Sequence, residues 1–297
     1  MAFDYARILN WPIPERRQTY TERDTILYAL GLGFGDDPTD KRQLRYVYED
    51  GLTAFPTMAN VLGQPGFWMK DPEAGVDWVR ILHGEQQLTV HRSLPAAGTI
   101  VGKSRVKQIV DKGEGRGAVV LVERVVEDAD TGEALCTVLQ STFCRGDGGC
   151  GGPGGDLPKP PAMPDRAPDH VVVIRTLPQA ALIYRLSGDY NPLHADPDVA
   201  TAAGFPRPIL HGLATFGIAA RALTMVAPEN ADLTALSARF TSTVLPGDVL
   251  ETRIWKVGGG GYLLQARVGA RVVLDGGQAQ VGRGAAASLG RTAESVA

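Results

Sequence analysis

Cysteine is scarce, long apolar runs are missing, and neither sign of charge dominates. The 297 residues hold three cysteines, Cys136, Cys144 and Cys150. They cluster in one short region without a CxxC pair or a matching histidine spacing. Neither a zinc site nor a disulfide framework is therefore expected, and a reducing, cytoplasmic setting fits better. No window approaches 18 uninterrupted apolar residues, so no membrane span is expected. The 30 Lys+Arg and 33 Asp+Glu leave a net charge of −3, which offers no reason to expect nucleic acid or an acidic membrane as partner. The opening "MAFDYARILNWPIPERRQ" lacks the apolar core of a signal peptide, and the closing "TAESVA" reads as neither a peroxisomal nor a lipidation signal. What is present is ordinary globular composition, 44% hydrophobic and 21% charged, in a chain long enough for two domains.

Proline and glycine mark the division. Residues 145–169, "RGDGGCGGPGGDLPKPPAMPDRAPD", carry seven Gly and six Pro and exclude a helix or a central strand. They read as a linker, flexible in the glycine part and stiffer in the proline part. A phosphate-cradling glycine loop would need a GK[ST] ending and a strand–helix context, and neither is there. The flanks resemble each other. "TILYALGLG" (25–33) aligns with "ALIYRLSGD" (181–189), and "LTVHRSLPAAGTI" (88–100) aligns with "RFTSTVLPGDVL" (239–250). The chain reads as a duplicated unit with one degenerate copy: an N-terminal unit at 1–144, the linker, and a C-terminal unit at 170–297.

Strand-like runs follow at 86–94, 99–111, 118–128 and 134–143 in the first half. In the second they fall at 237–245, 249–257, 262–268 and 271–281, broken by "PGD" and "GGGG" as in an antiparallel meander. "HGLATFGIAARALTMVA" (211–227) is apolar nearly all round, the mark of a buried helix. These readings give an α+β architecture of helices wrapped by antiparallel sheet. The tail from Gly284 onward is small and polar and is expected to be poorly ordered.

The chemistry concentrates in "RLSGDYNPLHADPDVATAAGFPRPILHG" (185–212). Gly188 permits a sharp exit from the preceding helix and Pro192 stiffens the backbone before His194. Asp189 and His194 on one rigid turn can hold a water from two sides, and either can move its proton. Read alone, the same pattern is also an Asx-type turn followed by a solvated histidine. Gly212 opens the buried helix, where amides lack internal partners and face the positive end of the dipole. A thioester oxygen placed there gains a hydrogen bond as charge develops on it. The bland alternative is a glycine kept for tight packing. His211 reads as a structural hydrogen-bonder rather than a second base.

"SGDYNPLHADPDVATAAGFPRPILHGLATFG" resembles the signature of the (R)-specific enoyl-CoA hydratases, the hydratase 2 or MaoC-like dehydratase family. The resemblance covers essentially the whole chain and implies a double hot-dog fold, with long central helices wrapped by antiparallel sheets. It is similar to the two-unit, eukaryotic-type enzymes, whose first copy has lost the catalytic motif and holds the acyl chain. Gly33 here stands where the second copy has Asp189, and no "NPxH" follows. The resemblance implies that Asp189 and His194 activate water, that the Gly212 amide binds the thioester oxygen, and that Asn191 positions the ligand or holds the turn. It also implies substrate contacts from His83 and Gly84, Lys112 and Phe240. Without the family pattern, His83 reads as a strand-edge residue, Lys112 as a solvated turn lysine and Phe240 as core. The implied reaction adds water to a trans-2-enoyl-CoA to give the (3R)-3-hydroxyacyl-CoA. It needs no metal and no organic cofactor, coenzyme A being part of the substrate, and a homodimer is expected.

Three other functions stay open at this stage. One is dehydration of short, branched or dicarboxylic hydroxyacyl-CoA, for which an extra arginine in the pocket would be the sign. The others are thioester hydrolysis and non-catalytic acyl-CoA binding. The segment 52–69, "LTAFPTMANVLGQPGFWM", is placed over the acyl channel, which would leave room for longer chains.

Overall fold

A computed structural model describes residues 2–229 and 231–282. Ten strands form one continuous antiparallel sheet: β1 (Arg16–Tyr20), β2 (Ile81–Val90), β3 (Gly98–Asp111), β4 (Ala118–Asp128), β5 (Ala134–Cys144), β6 (His170–Arg175), β7 (Asp232–Phe240), β8 (Val249–Gly258), β9 (Gly261–Val268) and β10 (Arg271–Gly282). Their spatial order, β1-β3-β4-β5-β2-β7-β10-β9-β8-β6, runs through one five-strand set and then through its equivalent in reverse. The duplication is therefore visible in the topology. The seam is β2 against β7, with Gln86 opposite Ala238 and Leu88 opposite Leu236. Leu88 and Leu236 are both buried, so the join carries core rather than solvent-facing residues.

The helices are α1 (Tyr5–Leu9), α2 (Glu22–Gly31), α3 (Lys41–Leu44), α4 (Ala180–Tyr184), α5 (Pro197–Ala202) and α6 (Gly212–Thr224). Residues Ala214 to Leu223 of α6 are all buried, as the apolar pattern predicts. The paired tyrosines of the repeat meet across the two units, the Tyr28 and Tyr184 rings lying 5.7 Å apart. No helix among the described residues is long and apolar enough to cross a membrane.

Four differences from the sequence reading have physical causes. The long helix exists in the second unit only. In the first unit the 3-10 turn Pro56–Asn60 packs against α6, because Pro56, Gly63, Pro65 and Gly66 punctuate that segment too closely for a long helix. The first strand of each meander lies earlier than expected, at Ile81–Val90 and Asp232–Phe240, and the seam pairing reaches back to Glu85 on one strand and Ala235 on the other. The glycine part of the linker is pinned rather than flexible. Asp111 accepts from the N–H groups of Gly113 and Gly149, both at 2.8 Å, and the Cys150 carbonyl accepts from Tyr5 at 3.1 Å. Finally, the long α6 carries a charge in its buried stretch. The tail from Gly284 lies outside the described residues, and all three cysteines are free thiols.

That buried charge is Arg221, 1% exposed. Its guanidinium crosses to the first unit, donating to the Leu32 carbonyl at 3.4 Å and to Gln43 Oε1 at 3.1 Å, with Asp36 at 2.5 Å. It fills the place where the first copy has Gly33 in place of an aspartate: a Cβ on Gly33 would come within 2.8 Å of Arg221. Replacing Arg221 by Met would orphan the buried Leu32 carbonyl, a loss of about 1–3 kcal/mol. Chemical denaturation should show a lower midpoint with an unchanged slope, and an unchanged midpoint would remove this tie from the account.

Candidate active site

The reactive stretch is a chain of short turns, each closed by a side chain. Helix α4 runs into a 3-10 turn, Arg185–Ser187, and ends at Gly188. Gly188 has φ +124, a conformation that side-chain-bearing residues rarely adopt. Next, Asp189 Oδ1 accepts from the Asn191 N–H at 3.2 Å, and Asn191 Oδ1 accepts from the Leu193 N–H at 3.1 Å. These Asx turns lead into the 3-10 turn Pro192–His194. Asn191 thus holds the turn, one of its two expected roles.

His194 is buried, and its Nδ1 lies 2.9 Å from the Ile209 carbonyl. A carbonyl can only accept, so Nδ1 carries the proton and Nε2 is left with a lone pair in the neutral ring. The proline-rich approach to α6 supplies that carbonyl, and Ile209 itself donates back to the Leu193 carbonyl at 3.3 Å. His211, the N-cap of α6, donates from Nε2 to the Asp189 carbonyl at 3.1 Å. Its ring stacks on His194 with centroids 3.7 Å apart. His211 therefore positions both members of the dyad through backbone and ring contact, and its Nδ1 is buried without a partner.

Burial sets the protonation. It pushes His194 below the usual imidazole range, and it pushes His211 down to about 4, with the neighbouring His194 as the second cause. Two stacked imidazoles in a dry site resist becoming cations together. The nitrogen and carboxylate atoms of Asp189, His194 and His211 lie within 4.8 Å of one another, a count that could hold a cation. Stacking, however, presents ring faces rather than converging lone pairs, and one nitrogen of each ring is already spent on a carbonyl. A separation of up to 4.8 Å also leaves room for one shared water, since two hydrogen bonds of ~2.8 Å at a water oxygen span about 4.6 Å.

Asp189 borders a cavity of about 570 Å³, within the range of small-molecule sites. One wall is residues 188–192 with Leu213, at the start of α6. A second is the segment 64–70, so the C-terminal part of the segment 52–69 borders this cavity. The floor is the sheet face of the first unit that a long helix would otherwise cover, including Ser104, Val122, Arg124, Val138, Gln140 and Thr142. The missing helix and the cavity are one feature.

The residues singled out from the sequence divide. His83, Phe240 and Gly212 meet: the His83 and Phe240 rings are 4.5 Å apart, and a Cβ on Gly212 would lie 3.2 Å from Phe240. Any side chain at Gly212 would press on that ring. His83 Nε2 also bonds Gln86 Oε1 at 3.0 Å, and desolvation pushes its pKa down to about 4. Gly84 sits where β2 slips register against β5, and a Cβ there would come within 2.8 Å of Ser141 Oγ. Lys112 does not border the cavity. Its ammonium is held by Asp156 and the Gly155 carbonyl, both at 2.7 Å, on the pinned linker. The cations that do border the cavity are Arg124 on its floor and Lys70, which lies 4.6 Å from the Trp78 ring centre.

Two further residues were not picked out from the sequence. Tyr184 packs its ring 5.0 Å from His211. Arg124 is 5% exposed, donates to the Ala59 and Asn60 carbonyls at 3.2 and 2.8 Å, and leaves Nε buried without a partner. A signal for Arg124 did exist. Val120, Val122 and Val126 share its face of β4, so it is the one charge in an apolar alternation.

The chain is similar to known proteins over most of its length. Residues 18–146 match the MFE-2 hydratase 2 N-terminal domain, and residues 160–275 match the MaoC like domain. The 3-hydroxyacyl-thioester dehydratase Y of Mycobacterium tuberculosis is 41% identical over 271 residues, covering 87% of this chain and 91% of the relative. A peroxisomal enoyl-CoA hydratase 2 of Arabidopsis thaliana is 38% identical, covering 86% and 88%. The crystal structure of a MaoC-like dehydratase from Phytophthora capsici superposes with a TM-score of 0.80 at 34% identity, covering 94% of this chain and 99% of that one.

The buried imidazoles make stability depend on pH in a definite direction. The folded pKa values of His83 and His211, about 4, lie below the ordinary value of 6.5. Between those limits the unfolded chain binds more protons than the folded one, so stability is complete above 6.5 and is lost as pH falls toward 4. The loss can reach about 1.4 kcal/mol per pH unit for each group. Denaturation midpoints should drop between pH 7 and 5, and His211→Phe should flatten that slope. An equally steep slope in the variant would contradict the assignment.

Proposed function

Because the chain belongs to the MaoC-like dehydratase and hydratase 2 family, matching both of its half-domains in order, we propose that it hydrates trans-2-enoyl-CoA reversibly to (3R)-3-hydroxyacyl-CoA. It is a hydro-lyase with a double hot-dog fold. The observation that carries the reading is the juxtaposition of the Asp189 carboxylate with the buried His194 ring, one ligand atom of each lying within 4.8 Å of the other, just before α6.

The chemistry follows from these positions. Both groups accept, so a water between them donates both of its protons and turns an oxygen lone pair toward the cavity. As that oxygen adds to C3 of the conjugated thioester, one proton passes to the dyad and electron density moves to the thioester oxygen. The first amides of α6, opened by Gly212, receive that charge at the positive end of the helix. C2 then takes a proton from the dyad, so the addition balances with one water consumed. Neutral His194 is the state that accepts, and burial maintains it. His211 and Tyr184 hold the dyad without touching substrate. The proposed steps draw on no metal and no organic cofactor. The first unit supplies the channel and the second the dyad, joined by the linker.

A homodimer forms part of the proposal. Edge strand β6 leaves Val171 and Val173 exposed at 49% and 60%, which supports a covering partner. A cytoplasmic setting is likewise proposed, supported by three free thiols.

Asp189→Asn and His194→Gln should each lower kcat/KM for crotonyl-CoA by about 10²–10⁴-fold, followed as loss of the conjugated absorbance, with the fold intact by circular dichroism. Near-native turnover in either variant would rule out the dyad, and chiral analysis of the product checks the (3R) assignment. In the native protein the acid limb of kcat/KM should lie below the ordinary histidine value near 6.5, because burial lowers His194. A limb above that value would assign the titration to another group.

A further inference from the structure

The floor of the cavity is charged, and the charge has no counter-ion among the described residues. Among the described residues, the groups that take hydrogen bonds from Arg124 are two backbone carbonyls, those of Ala59 and Asn60. Its neighbour across the β3–β4 ladder is Ser104, whose Oγ is also buried without a partner. Two polar side chains with unsatisfied atoms thus stand side by side on the same floor. Desolvation without compensation is costly for a guanidinium. An apolar acyl tail would displace any water there and make that cost larger.

The register places this pair at a distance from the reaction. Thr142 of β5 lies opposite His83, and the Asp189 charge is near enough to act on His83. Val138 of the same strand lies opposite Arg124, four residues away. At ~3.3 Å per residue the separation is about 13 Å, the reach of a medium-length acyl chain. The exposed lining of the cavity is elsewhere, at Phe67, 46% exposed, and at Tyr190 beside Asp189, 57% exposed. The bulky coenzyme must stay at that open side, so the far end of the acyl group is what reaches Arg124.

We infer that Arg124, with Ser104, recognises a carboxylate at the distal end of the acyl chain, making ω-carboxy enoyl-CoA thioesters the preferred substrate class. This rests on the reading of the site as an enoyl-CoA hydratase. A guanidinium with an unpartnered Nε can take a carboxylate oxygen in a charge-assisted bond, and the Ser104 hydroxyl can donate a second. The carboxylate replaces the missing counter-ion, whereas a neutral tail of equal length leaves the charge dry and unpaired. Arg124 is thus a specificity-determining residue that selects for one tail and against the other.

The test compares trans-2-enoyl-CoAs of matched length with and without an ω-carboxylate, such as trans-2-decenedioyl-CoA against trans-2-decenoyl-CoA. The native protein should favour the ω-carboxy substrate in kcat/KM by roughly tenfold or more at the length that reaches Arg124, and Arg124→Met should erase that ratio. Arg124→Lys should retain part of it. No preference at any length in the native protein overturns the inference, and that result does not depend on any variant folding. A fall in both substrates by the same factor in Arg124→Met also overturns it, since that is the outcome for an arginine that only braces the 59–60 carbonyls. If the native protein hydrates no enoyl-CoA at all, the underlying hydratase reading fails, and the inference with it.

Discussion

The pairing of β2 with β7 is the constraint on which the rest depends. It joins two five-strand sheets edge to edge, so neither seam strand is left open. It also fixes which residues of one unit face the other. With Glu85 opposite Arg239, the next residues toward each strand end are Gly84, His83 and Phe240, and Phe240 touches both His83 and Gly212. The first turn of α6 is therefore set against the floor of the other unit. A one-residue slip at the seam would put Leu88 and Leu236 on opposite faces, taking one of them out of the core, and would shift His83 relative to Phe240.

Given that seam, the two copies are free to differ. A hot-dog unit normally buries its sheet under a long helix, and the second unit does so with α6. In the first unit, prolines and glycines reduce the corresponding segment to a short 3-10 turn, and the uncovered sheet face becomes a channel. The loss of the dyad follows the same logic. Gly33 has no side chain, and the space is taken by Arg221 reaching across from α6 to bind Leu32, Gln43 and Asp36. Where the second unit has Asp189, the first has a structural tie. The degenerate copy is thus specialised in two places at once.

Residues whose role is local were legible in the sequence. Gly188, Asn191 and Pro192 announce their turns by type and spacing, so Asp189 and His194 could be placed on one rigid segment without coordinates. The apolar character of 211–227 announced burial in the same way. What stayed hidden depends on contacts between distant segments. Lys112 looked free because its captor, Asp156, lies far along a linker that looked flexible. That linker looked flexible because Asp111, which fastens it, sits at the end of an unremarkable strand. His211 was read as a structural hydrogen-bonder, but its stacking on His194 required the fold. Arg124 broke an apolar alternation in plain view, yet an arginine in a strand says nothing of whether a carboxylate waits opposite. Only the assembled floor shows that none does among the described residues.

One property of the buried interior bears on both the proposed base and the proposed selectivity. Dryness penalises charge. For His194 and His211, which can discard a proton, the penalty is met by staying neutral, and neutral imidazole is the form able to accept a proton from water. Arginine cannot escape that way: burial lowers Arg124 only to about 10, so it remains a cation at neutral pH. The same environment that prepares the base therefore leaves a fixed positive charge at the far wall, and such a charge is stabilised by whatever negative group a ligand brings. A fully apolar channel would have been adequate for neutral chains of any length. A channel that keeps one unescapable cation at a set depth measures both the length and the terminus of the chain that enters it.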